Sequence, residues 1–125
     1  MSSALPSACP VCRAAHVAAV GLFDGKGYWR CDGCGARGMN PAHFPERSAE
    51  RAHYDLHEND VDDPGYRRFL SKLAQPLLGQ VSPGAQGLDF GCGPGPALAS
   101  MLAEAGLHMT LYDPFFYPDA AALDR

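Results

Sequence analysis

The sequence predicts an α/β protein built in sections, and two observations predict it. Two C-x-x-C knuckles enclose a hairpin pattern in the first forty residues, and a strand, glycine turn, helix and strand follow one another from Gln86 to Asp113. The chain between them is polar and scattered with prolines. The 125 residues divide on this reading into a ribbon-like segment over 1-40, a polar linker and lead-in over 41-65, and an α/β portion over 66-125.

In the first section Val17 to Phe23 and Tyr28-Trp29-Arg30 read as two strands joined by an Asp24-Gly25-Lys26-Gly27 turn. A segment this small cannot bury enough apolar surface to hold itself, so a staple is expected. Cys9, Cys12, Cys31 and Cys34 supply one: their spacing, C-x2-C-x18-C-x2-C, is that of a tetrahedral zinc site. Gly33 and Gly35 let the second knuckle turn around the metal. The competing readings are two unrelated thiol pairs or a redox dithiol, but a redox pair normally opens a helix of a βαβ unit, and neither pair does. Four cysteine ligands close the site, which makes it structural. Trp29 and Tyr28 are expected to cover the knuckles.

The linker predicts a short helix from Pro45 to about Tyr54. Asp62-Asp63-Pro64 reads as a helix start, with acids at the positive end and proline where a missing N–H costs nothing. Phe69, Leu70, Leu73 and Leu77 follow at helical spacing, and Pro76 kinks or ends the helix. Val81-Ser82-Pro83-Gly84 is a loop. A strand begins at Gln86. Pro96 starts the next helix, whose apolar face is Leu98, Met101, Leu102 and Ala105, and Gly106 caps it in the left-handed conformation. Leu107 to Tyr112 is a second strand, parallel to the first because the crossover is long enough for a βαβ unit.

Composition narrows the function. With 46% hydrophobic and 19% charged residues the chain is an ordinary globular sequence. Its net charge of −4 disfavours binding dominated by phosphates. The first section hides no basic arm, since Arg13, Lys26, Arg30, Arg37 and Arg47 face Asp24, Asp32, Glu46 and Glu50. No apolar run is long enough for a membrane span, and no signal core opens the sequence, so the cytoplasm is the expected compartment. There, cysteines serve as metal ligands or free thiols rather than disulfides.

The glycines of the turn stand as G-x-G-x-G at Gly91, Gly93 and Gly95, with Asp89 two residues ahead and Asp113 ending the second strand. A dinucleotide fingerprint would need glycine at position 96, which is proline. The pattern instead resembles motif I of the class I S-adenosylmethionine-dependent methyltransferases. The likeness extends through Tyr54 to Asn59, Asp63 to Tyr66, Phe69-Leu70 and Tyr112 to Phe116, which look like bacterial members with a cysteine-rich amino-terminal segment. A structural α/β corner is the plainer alternative.

The resemblance implies a zinc ribbon followed by the first βαβ portion of a Rossmann-like fold, and S-adenosylmethionine and zinc as cofactors. It implies that Gly91, Cys92, Gly93 and Gly95 approach the methionine part of the cofactor, that Asp113 accepts the ribose hydroxyls, and that Phe115 or Phe116 covers the adenine. Asp89 would hold the loop or the cofactor's ammonium. Cys92 fits the turn as a small packing residue more readily than as a ligand or nucleophile. His53, His57, Glu58, Asn59 and Asp60 either line the site or form a solvated connection; His16 and His108 have no assigned part, and His43 would serve as a metal ligand only if one cysteine were free.

Members of the family have seven strands where this sequence offers two, so the chain reads as truncated and its catalytic residues are not named. A methyl transfer to a small-molecule acceptor is expected. An rRNA methyltransferase is one alternative; a zinc-binding interaction module without activity, or a chain whose sheet a second chain completes, is another.

Overall fold

The computed structural model describes residues 5–57 and 60–124. They form two compact units, Met1–Arg47 and Ser48–Arg125. Together they make a mixed α/β chain with two small sheets.

The first unit is a three-stranded antiparallel sheet, ordered β1 (Val17–Phe23), β2 (Lys26–Cys31), β3 (Arg37–Met39). The β1–β2 turn is tighter than the four residues expected. Phe23 pairs with Lys26, and only Asp24 and Gly25 lie between them, at φ 51° and 73°. Two positive-φ residues match the right-handed twist of the flanking strands, and Asp-Gly is the pair that tolerates them. The alternation of a strand then sorts β2: Gly27, Trp29 and Cys31 face inward, Tyr28 and Arg30 outward. Trp29, only 5% exposed, packs on Cys9 and Cys31 with Leu5, Ala14, Val17 and Ala36 around them. Tyr28 does not share in covering the knuckles, since the pleat turns it to the other face, where it meets Phe23 edge-on.

Strand β3 was not foreseen. It is held by the indole. Gly38 pairs with Trp29, where any side chain would strike the ring at 2.7 Å, and the indole Nε1–H donates to the Met39 carbonyl at 3.1 Å. A short 3-10 turn, Pro41–His43, follows. There His43 Nδ1 accepts the Gly27 N–H at 2.7 Å, tying the turn to the hairpin.

The second unit begins in α1 (Arg47–Asp55), which buries no residue. Helix α2 (Pro64–Leu78) starts as expected, with the Asp63 carboxylate accepting the Gly65 N–H at 2.8 Å. It continues past Pro76 to Leu78. Near a carboxyl end the missing N–H removes a single ladder bond, which the last turn tolerates. Its buried side is Ala74 with Leu77 and Leu78, whereas Phe69 and Leu73 stand 62% and 54% exposed.

Strand β4 (Gln86–Phe90) and β5 (His108–Tyr112) pair in parallel, Gln86 against His108 through Phe90 against Tyr112. Helix α3 (Ala97–Glu104) connects them, packing Leu102 against Ala74 and Leu107. Pro96 is its N-cap rather than its first residue. At the other end Gly106, at φ 98°, donates to Ala103 O and Leu107 to Leu102 O. That is the Schellman pattern, and Leu107 closes it by packing on Leu102. Arg67 links α2 to α3: its guanidinium meets both carboxylate oxygens of Glu104 at 2.9 Å and Ser100 Oγ at 3.1 Å.

Candidate functional sites

The four Sγ atoms of Cys9, Cys12, Cys31 and Cys34 lie within 4.8 Å of one another. Cys9 and Cys34 are 3.8 Å apart, Cys12 and Cys31 3.6 Å. Zinc–sulfur bonds of about 2.3 Å in a tetrahedron require edges of about 3.8 Å, so this donor set fits a tetrahedral metal ion such as zinc.

Each knuckle repeats one pattern of backbone bonds. Val11 N–H donates to Cys9 Sγ at 3.4 Å, and Gly33 N–H to Cys31 Sγ at 3.3 Å. Cys9 N–H reaches Ala14 O and Cys31 N–H reaches Ala36 O. The backbone N–H of Cys12, helped by that of Val11, holds the Cys9 thiol down at about 7, while the neighbouring sulfur Cys31 helps push Cys12 up to about 11. N–H groups aimed at sulfur favour the thiolate, the form that binds metal. His43 takes no part here, being committed to Gly27.

The second site lies at the carboxyl ends of β4 and β5, a cleft of about 400 Å³. Glycine turn and strand-end acid meet there. The turn folds over β5, Gly91 and Cys92 donating to Tyr112 O at 2.7 and 3.1 Å, with Gly91 and Gly93 both at positive φ. Asp113 is 7% exposed. Its Oδ2 accepts the Gly93 N–H at 3.0 Å, and its Oδ1 accepts those of Phe115 and Phe116 at 2.9 and 3.2 Å. One carboxylate therefore fixes both walls of the cleft.

Of the residues expected at this site, Gly91, Cys92, Gly93, Asp113 and Phe115 line the cleft. Gly95 is buried behind it and accepts the Ala97 N–H. Asp89 is not in the lining; it faces an apolar trough with Leu98, Leu102 and Met109, and burial raises its carboxyl above the ordinary range. The Cys92 thiol is pushed up to about 11, first by burial and then by the charges of Asp89 and Asp113, so it stays protonated and a poor nucleophile at neutral pH.

His57 does line the cleft, joined by Glu50, Tyr54 and Tyr66; His53 and Asp60 do not, and Glu58 and Asn59 lie outside the described residues. Glu50, Tyr54 and Tyr66 were missed as site residues in the sequence, although Glu50 stands one helical turn before Tyr54, a spacing that puts them on one face. Helix α1 reaches the cleft through Arg51, which donates to Phe115 O at 3.1 Å and lies 5.0 Å over the Phe116 ring, and through Tyr54, 6.0 Å from Phe115.

The chain matches no protein-family model, no curated protein and no solved structure. No helix among the described residues is long and apolar enough to cross a membrane.

Proposed function

We propose that this chain is the cofactor-binding portion of a class I S-adenosylmethionine-dependent methyltransferase, stapled by a structural zinc ion. The observation that carries the reading is the meeting of the glycine turn and Asp113 in one cleft at the carboxyl ends of two parallel strands. In open α/β sheets that is where ligands bind. The β4–α3–β5 unit supports a Rossmann-like arrangement as its framework.

A carboxylate offers about four acceptor positions, and three of those on Asp113 hold backbone N–H groups. The remaining one suits a ribose hydroxyl. Gly91 and Gly93 leave the wall beside it without side chains, so a ligand can approach the backbone. Phe115 offers a ring to the adenine. The bound cofactor would supply a methyl group on a sulfonium centre; the protein's share is to bind, orient and exclude water.

Isothermal titration with S-adenosylmethionine tests this. Saturable one-to-one binding is expected, weakened at least about tenfold in Asp113→Ala, as befits loss of a charge-assisted hydrogen bond. No binding to the zinc-loaded native chain would overturn the reading. A zinc-binding interaction module is the second reading. It draws support from the exposed Leu88 and Phe90 of β4, 44% and 70% accessible, which form an apolar surface open to a protein partner.

A further inference from the structure

The charge of the cleft is one-sided. Among the described residues it is lined by aromatic rings, by two carboxylates, Glu50 and Asp113, and by one imidazole, His57, with no lysine or arginine. Arg51, on the same helix as Glu50, is engaged by the Phe115 carbonyl, the Phe116 ring and Asp55. The two acids also differ. Asp113 is committed to three backbone N–H groups, whereas Glu50, half-buried on α1, has no hydrogen-bond or ion-pair partner among the described residues. Tyr54 stands one turn further along the same helix, its ring 6.0 Å from Phe115 and 6.1 Å from His57.

We infer that this cleft takes an organic ammonium ion, with Glu50 as its counter-ion and the ring of Tyr54 as the face it rests on; resting on the transferase reading, that ion is the methyl acceptor, an amine. Aromatic faces attract ammonium groups through their negative quadrupole, and an unpaired carboxylate beside them adds direct attraction. An anionic acceptor would meet two carboxylates and, among the described lining residues, no lysine or arginine to offset them. The chemistry balances with an amine. The ammonium gives one proton to solvent, the freed nitrogen pair bonds to the methyl carbon, and the carbon–sulfur pair leaves with sulfur. The sulfonium becomes a neutral thioether and the nitrogen takes the positive charge.

The test uses the zinc-loaded chain and two matched probes, choline and its uncharged isostere 3,3-dimethylbutanol, followed by NMR shifts of Tyr54, His57 and Phe115. Choline should bind at least about tenfold more tightly than the isostere. Glu50→Gln should bring the two within about a factor of two; Glu50 is partnerless on a surface helix, so the variant should keep the native spectrum. Tyr54→Leu is an independent check and should weaken choline more than dimethylbutanol. Equal affinity of the native chain for both probes overturns the inference, as does an unchanged preference in both variants. S-adenosylmethionine is titrated separately. Cofactor binding without a choline preference leaves the transferase reading intact and removes the amine; a choline preference without cofactor binding overturns the acceptor role.

Discussion

Arg13 and Gly35 occupy equivalent positions in the two knuckles. Both have left-handed backbones, at φ 66° and 79°, and each sends its N–H 2.9 Å back to the carbonyl of the first cysteine, Cys9 or Cys31. The same turn is thus built twice, with glycine only once. A left-handed conformation costs an L-residue about 1–2 kcal/mol, and glycine returns about 0.5–1 kcal/mol of that in unfolded-chain entropy. Arg13→Gly should therefore stabilise the zinc-loaded chain by about 0.5–1 kcal/mol, and Gly35→Ala should destabilise it by a similar amount. Thermal melts of the two variants read the difference.

Trp29 is placed to report on the proposed metal. It is the one tryptophan of the chain and is buried against Cys9 and Cys31. Native mass spectrometry should find one zinc ion per chain, and none in Cys31→Ser. A strong chelator should shift Trp29 emission to the red as the staple is lost and water reaches the indole. Emission unchanged by the chelator would show that the first unit holds without a metal.

Asp113 gives a prediction for stability as well as binding. Removing its carboxylate leaves the N–H groups of Gly93, Phe115 and Phe116 without their acceptor. Asp113→Ala should cost about 1–3 kcal/mol in urea denaturation, the usual penalty for stranding buried donors. An unchanged midpoint would mean the glycine loop keeps its shape without the acid.

The Arg67–Glu104 clamp makes stability depend on pH. Hydrogen bonds from Arg67, with its charge, hold the Glu104 carboxyl below the ordinary range. The native state binds that proton less readily than the unfolded chain. The clamp's contribution is therefore complete above the unfolded value of about 4.3 and is lost as pH falls through the lower folded value. Melting temperature should drop from pH 5 to pH 3, and drop less in Arg67→Met, where the clamp is already gone.

Asp89 carries the opposite sign. Burial alone raises its carboxyl, so the folded chain holds this proton more firmly than the unfolded one. The ionised form is a burden that grows as pH rises through the folded value. Asp89→Asn should raise the melting temperature at pH 7 and leave it unchanged at pH 3. A fall at pH 7 would show that the charge has a partner.

The cysteine spacing and the Asp63 cap were legible because each depends on local chemistry. So was the Gly106 cap, where one left-handed residue follows an apolar run. What the sequence hid depends on contacts made across the fold. Strand β3 is three residues long and has no alternation of its own; it exists because Trp29 needs a glycine beside it. The apolar spacing of α2 was visible, but not which of its two leucine-rich sides would be buried, and Ala74 took the place offered to Leu73. At the cleft, the strand-end acid was readable from its position, while the commitment of Asp113 to backbone donors was not. Asp89 followed the pleat of β4, which carried its side chain into the trough lined by Leu98 and Met109.

Leu88 and Phe90 on β4, with Phe69 and Leu73 on α2, leave the second unit with oily surface facing water. The shared net charge of −4 opposes association of copies through that surface. Lowering the pH only as far as the isoelectric point near 5.6, above the range in which the Arg67–Glu104 clamp is lost, or raising the salt removes that repulsion, and light scattering should rise before any unfolding signal does. The colloidal behaviour of this protein is set by its acids, and its folding by its cysteines and leucines.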